Sequence, residues 1–214
     1  INSIVFDQQG YLWIGTDKGL NILINSSSVL GSTSPIIRKI NALSGNIVND
    51  IYIDAIDNKW IATENGVFVI SPDGATLLAE YNIKNSLLTS NSIKSITSNP
   101  IDGRVYFCTA GGIYSALSLS VNPEPTYSIE CYPQPFNPRH DAELIINGLA
   151  KDNTLKIVTL EGRFIRSINA LGGRAIWDGK DDKGNIVESG VYLILASSTA
   201  GAEASVGKIV IKNK

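Results

Sequence analysis

An internal repeat in the first half of this 214-residue chain constrains its fold more than any other feature of the sequence. The segment that begins at Asn2, NSIVFDQQGYLWIGTDKGLNIL, returns from Asn49 as NDIYIDAIDNKWIATENGVFVI. Trp13 and Trp60 are 47 residues apart, and the two copies align without a gap. A chain that repeats at such a period is expected to fold as a series of equivalent units that bury their apolar faces against one another.

A third and more diverged copy begins at Ser92 and reads SIKSITSNPIDGRVYFCTAGGIYS. In this copy Tyr106 takes the place of the tryptophan, and Gly112 follows Gly66 at a spacing of 46 residues. Its first turn holds one extra residue. The first half of the chain therefore contains three related units.

Each copy divides into short β-rich runs separated by turn residues. In the second copy the runs are Ile51 to Asp54, Lys59 to Thr63, Val67 to Ser71 and Thr76 to Tyr81, with Asp-Asn, Asn-Gly and Asp-Gly turns between them. Several runs are apolar on both faces, which is typical of a sheet that neighbours cover on both sides. Four-stranded sheets stacked face to face are the blades of a β-propeller, so we predict an all-β fold that starts with propeller blades.

The repeated residues predict structural roles in these blades. We expect Trp13 and Trp60 to fill the space between blades, with Tyr106 at the same position of the third copy. The small and turn residues form two groups: Gly15, Ala62 and Cys108, which would let neighbouring sheets approach, and Gly19, Gly66 and Gly112, which would form turns at positive φ.

The pattern D-x-x-G-x-[LK]-W-I-[GA]-T-x-x-G-[LV] of the first two copies resembles the two-component regulator propeller repeat. The resemblance covers residues 1–117 and implies a partial propeller with two full blades and most of a third. The third copy departs from the pattern at Cys108 and at Ala110-Gly111. Because closed propellers have about four or more blades, we expect the remaining blades upstream of Ile1, or a partner that covers the open blade face.

A segment with two prolines, SLSVNPEPTYSIE at residues 118–130, predicts a linker before a second domain at residues 131–214. The second domain has β-rich runs bounded by Gly- and Asn-containing turns, and no run is typical of a helix. About 80 residues of this kind fit an immunoglobulin-like β-sandwich. The six predicted strands are Glu143 to Asn147, Thr154 to Thr159, Phe164 to Asn169, Arg174 to Trp177, Gly190 to Ala196 and Gly207 to Lys212.

Short motifs in this second domain resemble the C-terminal sorting domain that bacteria of the Bacteroidetes group use for export through the type IX secretion system. The matching residues are Tyr132, Pro133, Pro135, Asn137 and Pro138 in YPQPFNP, Trp177, Asp178 and Gly179 in WDG, Gly190, Val191 and Tyr192 in GVY, and Lys208 in the terminal KIVIK. The WDG-to-GVY core is also similar to immunoglobulin-like domains of the flagellar-hook-capping type. The order of propeller and sorting-like domain is similar to that of PorZ-like components of the secretion machinery, in which this domain is retained at the cell surface.

One carboxylate cluster is dense enough to suggest a metal. Asp178, Asp181 and Asp182 lie in one turn, and oxygen-rich turns of this kind bind calcium in secreted proteins. Lys180, however, stands where the third ligand of an EF-hand loop belongs. A solvated hairpin turn is therefore the favoured interpretation, calcium is the alternative, and we predict no metal site.

No group of residues predicts catalysis. His140 is the single histidine and lies outside any nucleophile motif, so neither a catalytic triad nor a two-histidine metal site finds support. Asp50, Asp54 and Asp57 could supply paired carboxylates for glycoside hydrolysis, but they are equally well explained as turn and rim residues. We therefore expect a protein that is not an enzyme and requires no cofactor.

Bulk properties narrow the class of protein further. The chain is 43% hydrophobic and 18% charged with a net charge of −2, which suits a soluble globular protein and lacks the basic excess of a nucleic-acid binder. The longest apolar run, Val191 to Ala196, is far shorter than the roughly 20 residues of a membrane-spanning helix. Cys108 and Cys131 could form a bridge, but we favour free thiols, with Cys108 as a small buried residue.

We predict a non-catalytic secreted or outer-surface protein of a Gram-negative bacterium. Its propeller blades would recognise an unknown protein or glycan ligand, and its C-terminal domain would direct export and surface attachment by the type IX secretion machinery. Two alternatives stay open: a PorZ-like component of that machinery, and the C-terminal part of a secreted propeller enzyme that degrades polysaccharides. A membrane sensor ranks last, because such chains continue from the propeller into a membrane helix and a kinase.

Overall fold

The computed structural model describes residues 1–26, 34–118, 120–150, 153–170, 172–198 and 204–213. The chain divides into two compact units, residues 1–118 and 119–214. Within the described residues, regular structure consists of β-strands and one short 3-10 turn at Asn41–Leu43, so the predicted all-β class is confirmed. None of the helical structure described reaches the length and apolar character needed to span a membrane.

Three antiparallel sheets, which we call blades 1 to 3, form the first unit. In each blade the strands pair in chain order. Each run predicted for the second copy overlaps one strand of blade 2. Blade 1 contains β1 (Ser3–Phe6), β2 (Leu12–Thr16), β3 (Gly19–Leu23) and β4 (Ile37–Ile40); blade 2 contains β5 (Val48–Ile53), β6 (Lys59–Thr63), β7 (Gly66–Ile70) and β8 (Leu77–Tyr81); blade 3 contains β9 (Ile93–Asn99), β10 (Arg104–Thr109) and β11 (Gly112–Leu117).

The tryptophans of the repeat fill the spaces between blades. Trp13 is fully buried in an apolar cluster with residues of blade 2, among them Ile61 and Phe68. One repeat later, Trp60 is buried in a second cluster with residues of blade 3, where it stacks on Phe107 at a ring distance of 6.2 Å. Tyr106 alternates with the buried residues of β10 and is half-buried, on the face of blade 3 turned away from blade 2.

Gly15 and Gly66 allow close approaches that a side chain would block. A Cβ atom at Gly15 would lie 2.6 Å from Cγ1 of Val48 on blade 2, so the absence of a side chain lets blades 1 and 2 approach. At Gly66 a Cβ atom would lie 2.3 Å from the carbonyl oxygen of Tyr81, and φ is 124°. Its repeat partners Gly19 and Gly112 have φ of 125° and 135°.

A buried polar network joins blade 1 to blade 2. Lys59, with 0% of its surface exposed, forms ion pairs with Asp7 at 3.4 Å and with Asp57 at 3.1 Å. Its ammonium group also donates to the backbone oxygen of Pro72 at 2.8 Å and lies 4.9 Å from the centre of the Trp13 ring. A buried charge must be paired and hydrogen-bonded to be tolerated, and these contacts meet that requirement.

Asp54 and Asp57 differ from the expectation for rim residues. Asp54 ends the predicted strand before the turn and Asp57 lies in the turn, but both are buried. Asp57 has a φ of 66°, a conformation that costs free energy in a residue with a side chain, and its carboxylate accepts a hydrogen bond from the backbone N–H of Gln8 in blade 1 at 3.1 Å. Contacts between the blades therefore stabilise a turn that lacks a glycine.

Hydrogen bonds between the first strands of successive blades also repeat. Asn2 donates to the carbonyl of Val48 at 2.9 Å, and one repeat later Asn49 donates to the carbonyl of Ile93 at 2.8 Å. Asp50 accepts from the Ser3 hydroxyl at 3.2 Å and from a backbone N–H of blade 3 at 3.0 Å. The sequence repeat is thus also a repeat of contacts between neighbouring blades.

The second unit consists of two antiparallel sheets around one apolar core. The strand orders are β12-β13-β16 and β15-β14-β17-β18. All six predicted strands are present within the described part of the chain, and β12 is additional. The strands are β12 (Glu130–Tyr132), β13 (Leu144–Asn147), β14 (Asn153–Thr159), β15 (Phe164–Asn169), β16 (Ala175–Trp177), β17 (Gly190–Ser198) and β18 (Ala204–Ile211).

Much of the segment predicted as a linker is bonded into the second unit. The carbonyl of Val121 accepts from the N–H of Gly173 at 2.8 Å, and the N–H of Ser128 donates to the carbonyl of Gly148 at 2.9 Å. The second unit therefore begins earlier than the predicted boundary at Cys131. Lys214, the last residue of the predicted domain, lies outside the described residues.

We predict that Lys59→Met destabilises the first unit. The substitution leaves the buried carboxylates of Asp7 and Asp57 without their cation, and breaking a buried pair in this way costs about 3 to 5 kcal/mol. Chemical denaturation followed by tryptophan fluorescence measures the loss. Lys39→Met, at an exposed position of β4, serves as the control. Equal stability of the two variants would contradict the assigned role of Lys59.

A second prediction concerns Glu64, which accepts hydrogen bonds from Lys94 and Asn49 at 2.7 Å each. The bond from Lys94 is the largest contribution that lowers the pKa of Glu64, from 4.5 to about 2. Because the folded-state pKa is lowered, the stabilisation by Glu64 is complete above pH 4.5 and is lost as the pH falls towards 2. We expect Lys94→Met to raise this pKa in an NMR titration of the carboxyl carbon, and Lys84→Met to leave it unchanged. An ordinary pKa in the unmodified protein would refute the assignment.

Candidate functional site

The sorting-like motifs of the second unit meet at one end of its core. Phe136, in the centre of YPQPFNP, is fully buried. Its N–H donates to the carbonyl of Val210, and its carbonyl accepts from the N–H of Lys212, both at 2.9 Å. The YPQPFNP segment therefore lies beside β18, although the two are more than 60 residues apart in sequence. The peptide bonds before Pro133 and Pro135 are cis.

The WDG motif packs under the same segment. Gly179 has a φ of 71°, and a Cβ atom there would lie 2.4 Å from Cγ of Pro138 and 2.9 Å from the Phe136 ring. Only a residue without a side chain fits between this turn and the proline-rich segment. At Gly179 the WDG turn is thus in direct contact with the YPQPFNP segment.

Trp177 and Tyr192 bring the WDG motif into contact with the GVY motif. Their rings meet edge to face at a centroid distance of 6.0 Å in the core. The Trp177 indole N–H donates to the carbonyl of Lys180 at 2.9 Å, and the Tyr192 hydroxyl donates to the carbonyl of Glu188 at 2.8 Å. Burial raises the pKa of Tyr192. The indole N–H and the hydroxyl both have hydrogen-bond partners within the second unit. The two residues therefore stabilise its core.

Asn137 organises the turn that comes after Phe136. Its backbone N–H donates to the carboxylate of Asp141 at 2.7 Å, and its side-chain oxygen accepts from the N–H of Arg139 at 3.0 Å. His140 is exposed and donates its backbone N–H to the carbonyl of Asn137 at 3.0 Å. The contacts of this turn are those of a stable loop.

Other motif residues point away from the core. Tyr132, Pro133, Pro135 and Gly190 are exposed at the surface. Val191 and Lys208 lie on the side of the four-stranded sheet opposite the core. We call this side the outer face; its apolar side chains are Val158, Phe164, Val191, Leu193, Leu195, Val206 and Val210. Packing of the core does not account for the residue types on this face.

The carboxylates of Asp178 and Asp181 in the acidic turn form ion pairs and hydrogen bonds with neighbouring residues of the chain. Asp178 pairs with Arg166 at 3.0 Å and with Lys180 at 3.4 Å. Asp181 accepts backbone N–H bonds from Lys183 and Asn185, and these bonds lower its pKa. In the part of the chain that the structure describes, no three acidic, His or Cys side chains are grouped as metal ligands would be. The contacts are those of a hairpin turn.

Each unit also has a surface depression. In the second unit a groove of about 270 Å³ is lined by Glu143, Arg166, Trp177 and Asp178. In the first unit an apolar depression of about 130 Å³ lies among Tyr81, Leu88, Phe107 and Tyr114.

Both cysteines are free thiols. Burial raises the pKa of Cys131 to about 11, so its reactive thiolate form is scarce at neutral pH. Cys131 packs against the core of the second unit, which supplies the structural explanation that its sequence position did not suggest.

Sequence reasoning missed the outer face, although a signal was present. The runs VYLILA in β17 and KIVI in β18 are apolar at successive positions rather than at alternate ones. The same pattern in the blades predicted sheets that are covered on both sides. Applied to the second unit, it would have predicted that something covers the outer face as well.

The comparisons with known proteins agree with this architecture. Residues 1–18 match the family described as two component regulator propeller. PorZ of Porphyromonas gingivalis, described as an essential bacterial surface component of the type-IX secretion system, matches 100% of this chain at 27% identity with a TM-score of 0.69. The chain spans 30% of the length of that protein. No curated protein matches it in sequence.

Two further solved structures have lower TM-scores. The extracellular domain of the putative one component system BT4673 from B. thetaiotaomicron matches 98% of this chain and 30% of its own, at 15% identity and a TM-score of 0.41. Dimeric latent PorU from Porphyromonas gingivalis matches 52% of this chain and 12% of its own, at 16% identity and a TM-score of 0.32. The likeness to PorZ, which extends over both units, is the stronger comparison.

We predict that Gly179→Ala destabilises the second unit more than Gly184→Ala does. Both glycines have positive φ, 71° and 83°, so both substitutions carry a similar backbone cost. Only at Gly179 would the new methyl group overlap neighbouring atoms, since nothing lies within 4 Å at Gly184. The expected difference is about 1 to 3 kcal/mol in chemical denaturation. Equal losses would mean that the WDG turn does not pack tightly on the proline-rich segment.

Proposed function

We propose that this chain is part of a surface component of a type IX secretion system. The observation that supports this proposal is the match to PorZ, which covers the whole chain at 27% identity and includes both the blades and the second unit. We further propose that residues 131–214 are an immunoglobulin-like sorting domain retained at the cell surface.

The blades are proposed to act by binding rather than by catalysis. The acidic side chains that could have served a hydrolase are engaged in the fold: Asp54 accepts from the Trp60 indole at 3.0 Å, and Asp57 pairs with Lys59. Asp50 accepts hydrogen bonds from blades 1 and 3. A general acid or base needs a carboxylate that faces substrate, whereas these three carboxylates are engaged in contacts within and between the blades.

A second candidate is an exported recognition protein that is itself cargo of the system. The convergence of YPQPFNP, WDG, GVY and β18 supports this alternative, because a sorting domain would be present in cargo as well. In both cases the blades would contact a protein or a glycan outside the cell. The two candidates differ in their effect on the export of other proteins.

Deletion of the gene in the bacterium that encodes it separates the two candidates. If the protein is a component, unrelated proteins with sorting domains should accumulate inside the cell and decrease at its surface. If it is cargo, their export should be normal. Immunoblots of surface and cell fractions for two such proteins make the measurement, with re-expression of the deleted gene as the control. Normal export of both proteins would overturn the component proposal.

A further inference from the structure

We propose that the outer face of the second unit is a docking surface for a separate protein that presents carboxylates around an apolar strip. This inference rests on the proposed function, in which the second unit is held at the cell surface, and identifies the surface through which it is held.

Apolar exposure is the first observation. Val206 is 61% exposed, Phe164 49%, Val210 40% and Leu195 36%. On the opposite side of the same strands Ile194 and Ile209 are fully buried. An antiparallel sheet with one solvated face normally carries polar side chains there. A contiguous set of exposed apolar side chains on such a face marks an interaction surface.

Charge is the second observation, and it determines the chemistry of the partner. Lys156 and Lys208 are exposed on the outer face, opposite Leu195 and Leu193 of β17. The strand order places β17 between them, and their partners on β17 are two residues apart, so their backbones are about 12 Å apart. Among the described residues neither lysine has an ion pair, and the sequence supplies no acidic residue at the outward positions of the four strands. A partner with carboxylates would therefore meet two unpaired cations.

The shape of the face favours a protein over a membrane. Strands in a sheet rotate by roughly 20 to 25° from one to the next, so four strands turn by roughly 60 to 75° across the face. A flat lipid surface touches such a face along one pair of strands at most. A protein of complementary shape can cover all the exposed apolar side chains together with both lysines.

The same charges disfavour a second copy of this chain. Two copies related by a two-fold axis would bring the same patch against itself, and each lysine pair would face another lysine pair. Like charges facing each other across an interface are costly. The partner is therefore a different protein with the opposite charge.

Site-specific crosslinking tests the proposal in the full-length protein in its native cell. A photoreactive amino acid is placed at Val206, and a control one at Leu87, which is exposed in the first unit. We expect a discrete adduct with another protein from the Val206 position, and the protein labelled at Leu87 should not form this adduct. Lys156→Glu combined with Lys208→Glu should reduce this adduct about tenfold or more. Lys84→Glu combined with Lys183→Glu changes the net charge equally and should leave the adduct intact.

Two further variants complete the test. Leu195→Ser combined with Phe164→Ser removes apolar contact without a change of charge and should also reduce the adduct. Mass spectrometry of the adduct identifies the contacted carboxylates of the partner; their replacement by lysine should restore the adduct of the double glutamate variant. This charge exchange excludes loss of folding as the cause.

Four outcomes would overturn the proposal: an adduct of twice the mass of this protein, adducts with lipid alone, no adduct at all, or equal effects of the two double charge reversals. The gene-deletion experiment measures export of other proteins, whereas this one measures a contact of the protein itself. Normal export of other proteins together with a charge-dependent adduct would reject the component proposal and retain the docking surface.

Discussion

Each tryptophan between two blades brings an indole N–H into an apolar space, and the structure depends on the aspartate that accepts its hydrogen bond. Asp7 accepts from Trp13 at 2.8 Å, and Asp54 accepts from Trp60 at 3.0 Å. An unpaired N–H there would cost about 1 to 3 kcal/mol. The Asp7 carboxylate also accepts two backbone N–H groups of its own turn. Burial alone would raise its pKa, but these bonds and the charge of Lys59 outweigh burial and lower it.

The third blade lacks this pairing of tryptophan with aspartate. Tyr106 replaces the tryptophan, and the side chain of Asn99 at the end of β9 accepts from the N–H of Ile101 in its own turn at 3.1 Å. In blades 1 and 2 the aspartate links its turn to the buried indole ring. In blade 3 the Asn99 side chain accepts a hydrogen bond from its own turn instead. Tyr106 is half-buried, and the strands of blade 3 depend for their burial on the apolar cluster around Trp60.

The strands and the turn glycines could be predicted because they depend on local chemistry: β-rich runs bounded by turn residues, and turns that need positive φ. The position of Lys59 could not. At that place the first copy has Leu12 and the third has Val105, so the repeat gives no reason for a lysine. Its partner Asp7 is 52 residues away and lies on another blade. Burial of a charge depends on which distant side chain faces it, and a one-dimensional pattern does not contain that information. For the same reason the sequence is compatible with a turn or rim position for Asp57, although the residue is buried.

In the second unit the motif residues are of two kinds, those buried in the core and those that point outward. Trp177, Gly179 and Tyr192 are buried, and packing and satisfied hydrogen bonds explain their identities; any fold of this shape would need residues like them. Val191 and Lys208 contribute little to the core, because they lie on strands whose inward positions are filled by Tyr192 and Ile209. A resemblance carried by the buried residues therefore argues for the fold alone. Surface recognition depends instead on the outward residues, whose chemistry folding leaves free to vary.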